Sequence, residues 1–269
     1  MPNHRIGLLV PSSNTTMETE VPEVLRRTSR LTGQQFSFHS SRMRMKTVSP
    51  EELAAMNTEA ERATVELADA EVDVMAYACL VAIMSQGPGV HRGIERRLTE
   101  VAEQHGAGGV VSSAGALIEG LHHLGAKKVA IVTPYVKSLT RKVVDYIEAE
   151  GVEVHDAISL EVEDNLDVGR LDPAGLNEIA SRLDLRGVDV VVLSACVQMP
   201  SLAAIPEVQT SLGLPVITAA TATAWQILQR LGQPAIAADA GALLQSRLVI
   251  DGSGPVGAPT SGGSMPGRS

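Results

Sequence analysis

Alternation is what most constrains this chain. Short apolar runs rich in β-branched residues, "RIGLLVP", "VDVMAYA", "GGVVSSA", "KVAIVTP", "VDVVVLSA" and "LPVITA", recur along its length, and each reads as a strand buried on both faces. Longer amphipathic segments separate them. "PEELAAMNTEAERATVELADA", Pro50 to Ala70, carries apolar residues at helical spacing with Pro50 in its first turn, and "TRKVVDYIEAEG" ends on Gly151 as a helix C-cap does. Strand, helix, strand order with buried strands predicts an α/β fold of parallel sheets covered by helices, whose ligands sit beyond the carboxyl ends of the strands.

The pattern also repeats. "RIGLLVPSSNTTMETEVPEVL" and "KVAIVTPYVKSLTRKVVDYIE" share the order strand, proline, polar turn, helix, which aligns Pro11 with Pro134. The only two cysteines, Cys79 and Cys196, each end an apolar run led by Val-Asp-Val and are separated by nearly the same interval. Duplication predicts two pseudo-symmetric Rossmann-like or flavodoxin-like halves that face each other across a cleft. The expected division is 1–115 with Cys79, joined by the segment 220–250; 116–219 with Cys196; and 251–269 as a flexible Gly/Ser/Pro-rich tail.

Composition narrows the partners. With 22 basic against 31 acidic residues, the formal charge of −9 argues against nucleic acid and anionic membranes. No apolar run is long enough to span a bilayer, and Pro11 interrupts the first one too early for a secretion signal, so a cytoplasmic protein is expected. That reading removes meaning from the nominal glycosylation sequon at Asn14-Thr15-Thr16 and disfavours a structural disulfide. Two cysteines alone make a poor zinc site, and the adjacent His122 and His123 point about 100° apart on a helix, so no metal is expected.

Taken singly, the notable residues have ordinary readings. A cysteine at the end of a buried strand is by default inert core. Asn14, in "PSSNTT", suits a helix cap, with Thr15 to Glu18 able to form a capping box; a capped helix N-terminus is also an anion site. Tyr135 after Pro134 reads as a loop tyrosine and Asn165 in "EVEDNLD" as a turn residue. The glycine-rich "QGPGVHRG" fits no phosphate-binding fingerprint and reads as a turn near the site. Arg42 and Arg44 in "SSRMRMK" could draw a dianion to the mouth of a cleft, but a solvated charge run is the plainer account.

Five tags in order, "VPSSNTTMETEVPE", "YACLVAIM", "TPY", "EDN" and "SACVQMPS", resemble the maleate cis-trans isomerases, a branch of the aspartate/glutamate racemase superfamily related to arylmalonate decarboxylase. The likeness runs from Arg5 to about Ile250. It implies that Cys79 is a nucleophile adding to an alkene carbon of maleate and that Cys196 is the proton donor and acceptor. It also implies substrate contacts at Asn14, Tyr135 and Asn165, with the backbone around Leu80, Val81, Val197 and Gln198 completing the pocket. Addition turns the double bond into a rotatable single bond, and elimination then releases fumarate, with no cofactor required. The resemblance further suggests a role in nicotinate or related aromatic degradation; a homodimer is the default assembly.

Other functions fit parts of the pattern. A cofactor-independent racemase also needs two thiols, a decarboxylase of the arylmalonate type works with one cysteine, and a diacid-binding module without chemistry would leave paired thiols unexplained.

Overall fold

The structure, a computed structural model, describes residues 3–245. The proposed tail at 251–269, and the end of the segment 220–250, lie outside the described residues.

The chain opens with β1 (Asn3–Pro11), α1 (Met17–Thr32) and β2 (Gln35–Met43), then α2 (Pro50–Thr58), α3 (Ala60–Ala68), β3 (Val74–Tyr77), α4 (Leu80–Met84), α5 (Val90–Gln104), β4 (Val110–Ser112) and α6 (Ser113–His123). It continues with β5 (Lys128–Thr133), α7 (Lys137–Ala149), β6 (Glu153–Ser159), α8 (Asn165–Gly169), α9 (Leu176–Ser181), β7 (Val190–Ser194), α10 (Ile205–Leu212), β8 (Val216–Thr218) and α11 (Ala219–Arg230). Every strand pairing is parallel. The two sheets have orders β2-β1-β3-β4 and β6-β5-β7-β8, the same arrangement twice, so the fold is α/β and internally repeated. That order is flavodoxin-like at its start.

The six apolar runs become β1, β3, β4, β5, β7 and β8, whose central residues are buried. The edge strands β2 and β6 escape the sequence reading because half-exposed edges tolerate polar residues: "QFSFHSSRM" and "EVHDAIS" are mostly intermediate or exposed. The helix expected from Pro50 to Ala70 is two helices that break at Glu59. Ahead of the break, Thr58 Oγ1 bonds back to the carbonyl of Ala55 (2.7 Å), a contact that competes with the helical ladder. Gly151 follows α7 with φ 86°, in the left-handed region that ends a helix. After β8, α11 packs on α1, α6, β3 and β4 of the first half, so the chain crosses between the halves a second time.

Candidate active site

The carboxyl ends of β1 and β3 face those of β5 and β7 across a cleft. After β3 the Ala78 N–H still bonds the carbonyl of Leu9 (2.9 Å), and the chain then turns at Cys79. Cys79 has φ 78°, ψ 72°, which places it in the left-handed region and lets α4 begin at the next residue. A side chain there costs on the order of 1–2 kcal/mol. Buried neighbours Ala78 and Leu80, both 0% exposed, hold the turn in place. Cys196 follows β7, with the Ser194 hydroxyl donating to its carbonyl (2.8 Å) and the Gln198 N–H pointing at its Sγ (3.4 Å). Both cysteines are free thiols.

Cys79, Leu80 and Val81 from the first half and Tyr135, Asn165, Cys196, Val197 and Gln198 from the second line a single cavity, with Asn14 beside them. Pro11, Met45 and Val48 complete its wall. It contains about 280 Å³ of empty space, barely any of it wide enough for a water molecule. The segment carrying Met45 and Val48 closes against the second half through a bridge from Thr47 to Asp164.

The sequence reading missed those three wall residues, although the alternation in "SSRMRMK" could have found one. Met43 and Met45 point inward and are buried, while Arg42 and Arg44 are exposed. Arg42 lines no part of the cavity. It pairs with Glu18 and donates to the carbonyls of Ser12 (2.9 Å) and Asn14 (3.1 Å), and so braces the loop after β1. The expected capping box is also absent, since Glu18 is committed to Arg42. Asn14 itself caps α1, its Oδ1 accepting from Thr16 N (3.0 Å) and Met17 N (2.9 Å). The "QGPGVHRG" stretch is a turn, with Gly87 and Gly89 at positive φ between α4 and α5, but it does not reach the cavity.

The donors are neutral. With Oδ1 of Asn14 committed to the helix, its Nδ2 group is what it can offer the cavity. Asn165 Nδ2 donates to Ser13 Oγ (2.8 Å) and retains a second proton. Gln198 links the halves: Oε1 accepts from Thr15 N (2.9 Å) and Thr16 N (3.2 Å), and Nε2 donates to the carbonyls of Asn165 (2.8 Å) and Ser13 (3.2 Å). The Tyr135 hydroxyl has one proton, which it can give to the Ala195 carbonyl (3.3 Å) or turn toward Cys196 and the cavity, and burial next to both thiols keeps it un-ionised.

Among the described residues, no charged side chain lines the cavity. Burial therefore pushes the Cys79 thiol up to about 12, opposed mainly by a hydrogen bond from the Ala82 N–H. Burial also raises Cys196, but more donors oppose it: the Tyr135 hydroxyl and the N–H groups of Gln198 and Met199. Such a site can hold a small polar anion through directed neutral dipoles. Its described residues offer no carboxylate to an ammonium group and no counterion to a thiolate.

Residues 6–244 match the protein family described as arylmalonate decarboxylase. A maleate isomerase from Geobacillus stearothermophilus is 56% identical over 245 residues, which cover 90% of this chain and 98% of that one. Among solved structures, a cysteine-to-alanine maleate isomerase from Pseudomonas putida with maleate is similar at a TM-score of 0.90 and 51% identity, covering 91% of this chain and 99% of that one. A cysteine-to-serine maleate cis-trans isomerase from Nocardia farcinica, with a covalently bound succinylcysteine intermediate, is similar at 0.87 and 50%, with the same coverage.

Proposed function

The chain belongs to the arylmalonate decarboxylase family and, within it, to the maleate isomerases, and on that premise we propose that it converts maleate into fumarate through a succinyl-cysteine formed on Cys79. The observation that carries the assignment of residues is the pairing of two buried thiols, one from each half, on one cavity walled by neutral donors.

The chemistry follows from the arrangement. The Cys79 thiolate adds to one alkene carbon, the π electrons move to the neighbouring carbon and its carboxylate, and the Cys196 thiol supplies the proton that carbon needs. The new single bond rotates. Cys196, now a thiolate, takes a proton back from the same carbon, the double bond reforms, and the Cys79 thiolate leaves. Every proton and electron pair returns to its origin, so the cycle balances without an external redox partner. Asn14, Asn165 and Tyr135 aim N–H and O–H dipoles at charge that grows on the carboxylate during addition, the moment at which such donors contribute most. The two thiols titrate as a pair, because ionising one opposes ionising the other.

An amino-acid racemase is disfavoured by the same lining, which among the described residues holds no acid to receive an α-ammonium group. A homodimer, a cytoplasmic location and service in nicotinate or related aromatic degradation belong to the same proposal. Proton NMR of purified protein with maleate alone tests the function. Appearance of the fumarate vinyl signal is expected; unchanged maleate after prolonged incubation with reduced protein refutes it.

A further inference from the structure

Building on that assignment of Cys196, we infer that Glu20, which lies outside the cavity, is a positioning residue for the Cys196 thiol. From Ala195 to Ala204 the chain has no regular secondary structure, so the ladder of the second sheet does not fix it. At the near end, the Ala195 N–H bonds the carbonyl of Val132 (3.0 Å). The far end is held by the other half of the molecule. The Glu20 carboxylate, on α1, accepts from Ser201 N (2.6 Å), Leu202 N (2.7 Å) and the Ser201 hydroxyl (3.2 Å).

All three groups are buried: Glu20 is 8% exposed, Ser201 1% and Leu202 5%. A carboxylate is not buried without cost, and here desolvation raises its pKa while the two N–H bonds lower it. Its bonds satisfy donors that no strand or helix serves. The geometric consequence concerns the two thiols. Cys79 is fixed by the first half and Cys196 by the second, so their relation depends on contacts that cross the cleft. Gln198 and, through Ser13, Asn165 make such contacts and also line the cavity; Glu20 makes another without touching the substrate space. Releasing the loop at Ser201 frees Cys196 to drift, and a shift on the order of 1 Å at a reacting group can cost about 100-fold in rate.

The test compares two substitutions. Glu20→Met fills a similar volume but accepts no hydrogen bond. Glu20→Gln keeps an oxygen for both N–H groups and can donate to the Ser201 hydroxyl. Glu20→Met is expected to lower kcat about 10–100-fold with KM for maleate changed less than about threefold, and Glu20→Gln to stay within about threefold of wild type. Alkylation of each thiol, followed by mass spectrometry, gives a readout independent of turnover: Glu20→Met should speed labelling of Cys196 about tenfold or more and leave Cys79 nearly unchanged. The inference is overturned if kcat per folded molecule of Glu20→Met stays near wild type, if both thiols become reactive together, or if Glu20→Gln is as damaging as Glu20→Met. If Glu20→Met does not fold, Glu20→Asp, whose shorter arm cannot span the same contacts, takes its place under the same criteria. Should the wild-type protein leave maleate unchanged, the isomerase assignment fails, and the labelling pattern still decides whether Glu20 holds Cys196.

Discussion

Asn14→Asp separates the two jobs that the proposed function gives to one side chain. In the wild-type chain Oδ1 caps α1 through Thr16 N and Met17 N, and Nδ2 is left for the cavity. The introduced carboxyl keeps an oxygen for the helix, where a negative charge at the N-terminus is itself favourable by about 0.3–1 kcal/mol. It removes the donor, a loss of about 10²–10³ in rate for a site of this kind. It also sets a charge against the substrate: at a separation of about 4–5 Å and an effective dielectric of about 20, each carboxylate of the substrate is repelled by roughly 3–4 kcal/mol. Together the two effects predict a fall in kcat/KM of about 10⁴-fold or more. The melting temperature should stay within about 2 °C of wild type, because the cap survives. Asn14→Ala gives the contrast, since it loses donor and cap together: about 10²–10³ in rate and about 1 kcal/mol of stability. Turnover is followed by NMR on matched concentrations of folded protein, and unfolding by circular dichroism. An Asn14→Asp enzyme that isomerises maleate within tenfold of wild type would place Asn14 away from the substrate and refute the reasoning.

Cys79→Ser is expected to abolish turnover, since an alcohol cannot supply the anion at neutral pH; more than about a tenth of wild-type activity would remove Cys79 from the nucleophile's role. Cys196→Ser should be slow but leaky, with mass spectrometry finding a succinyl adduct on Cys79; an adduct on Cys196 in the Cys79→Ser protein would reverse the roles. Because burial raises both thiols above their ordinary range and holds Cys79 near about 12, the thiolate fraction grows about tenfold per pH unit, and kcat/KM should climb from pH 7 to about 9. A plateau below about pH 8 would mean that a group outside the cavity ionises the pair. Dialysis against a chelator should leave activity intact and thiol oxidants should destroy it; zinc-dependent recovery would contradict the two-thiol cycle.

What the sequence disclosed followed burial. Strands covered on both faces, such as "KVAIVT" and "VVVLS", must be apolar throughout, and that made the repeat visible. β2 and β6 did not stand out because edges half open to water accept His, Ser and Asp. The resemblance named Cys79, Cys196, Asn14, Tyr135 and Asn165, all of which line the cavity. Glu20 and Arg42 carried no such signal, since acidic and basic residues in "METE" and "SRMR" look like solvated charge until the cleft brings their partners close. The sequence likewise could not show that Asn14 commits Oδ1 to the helix and leaves Nδ2 over, because that depends on which atom faces which.

The path of the chain between the halves has a mechanical consequence. It crosses once between α6 and β5 and again where β8 runs into α11, which packs back on α1 and α6. Two connections restrain the relative placement of two bodies more tightly than one would. The cavity lies between bodies tied in this way, so its two walls cannot part independently of the backbone that joins them. Cys79 and Cys196 stand on opposite walls of that cavity, so the double crossing also bounds how far their relative placement can vary.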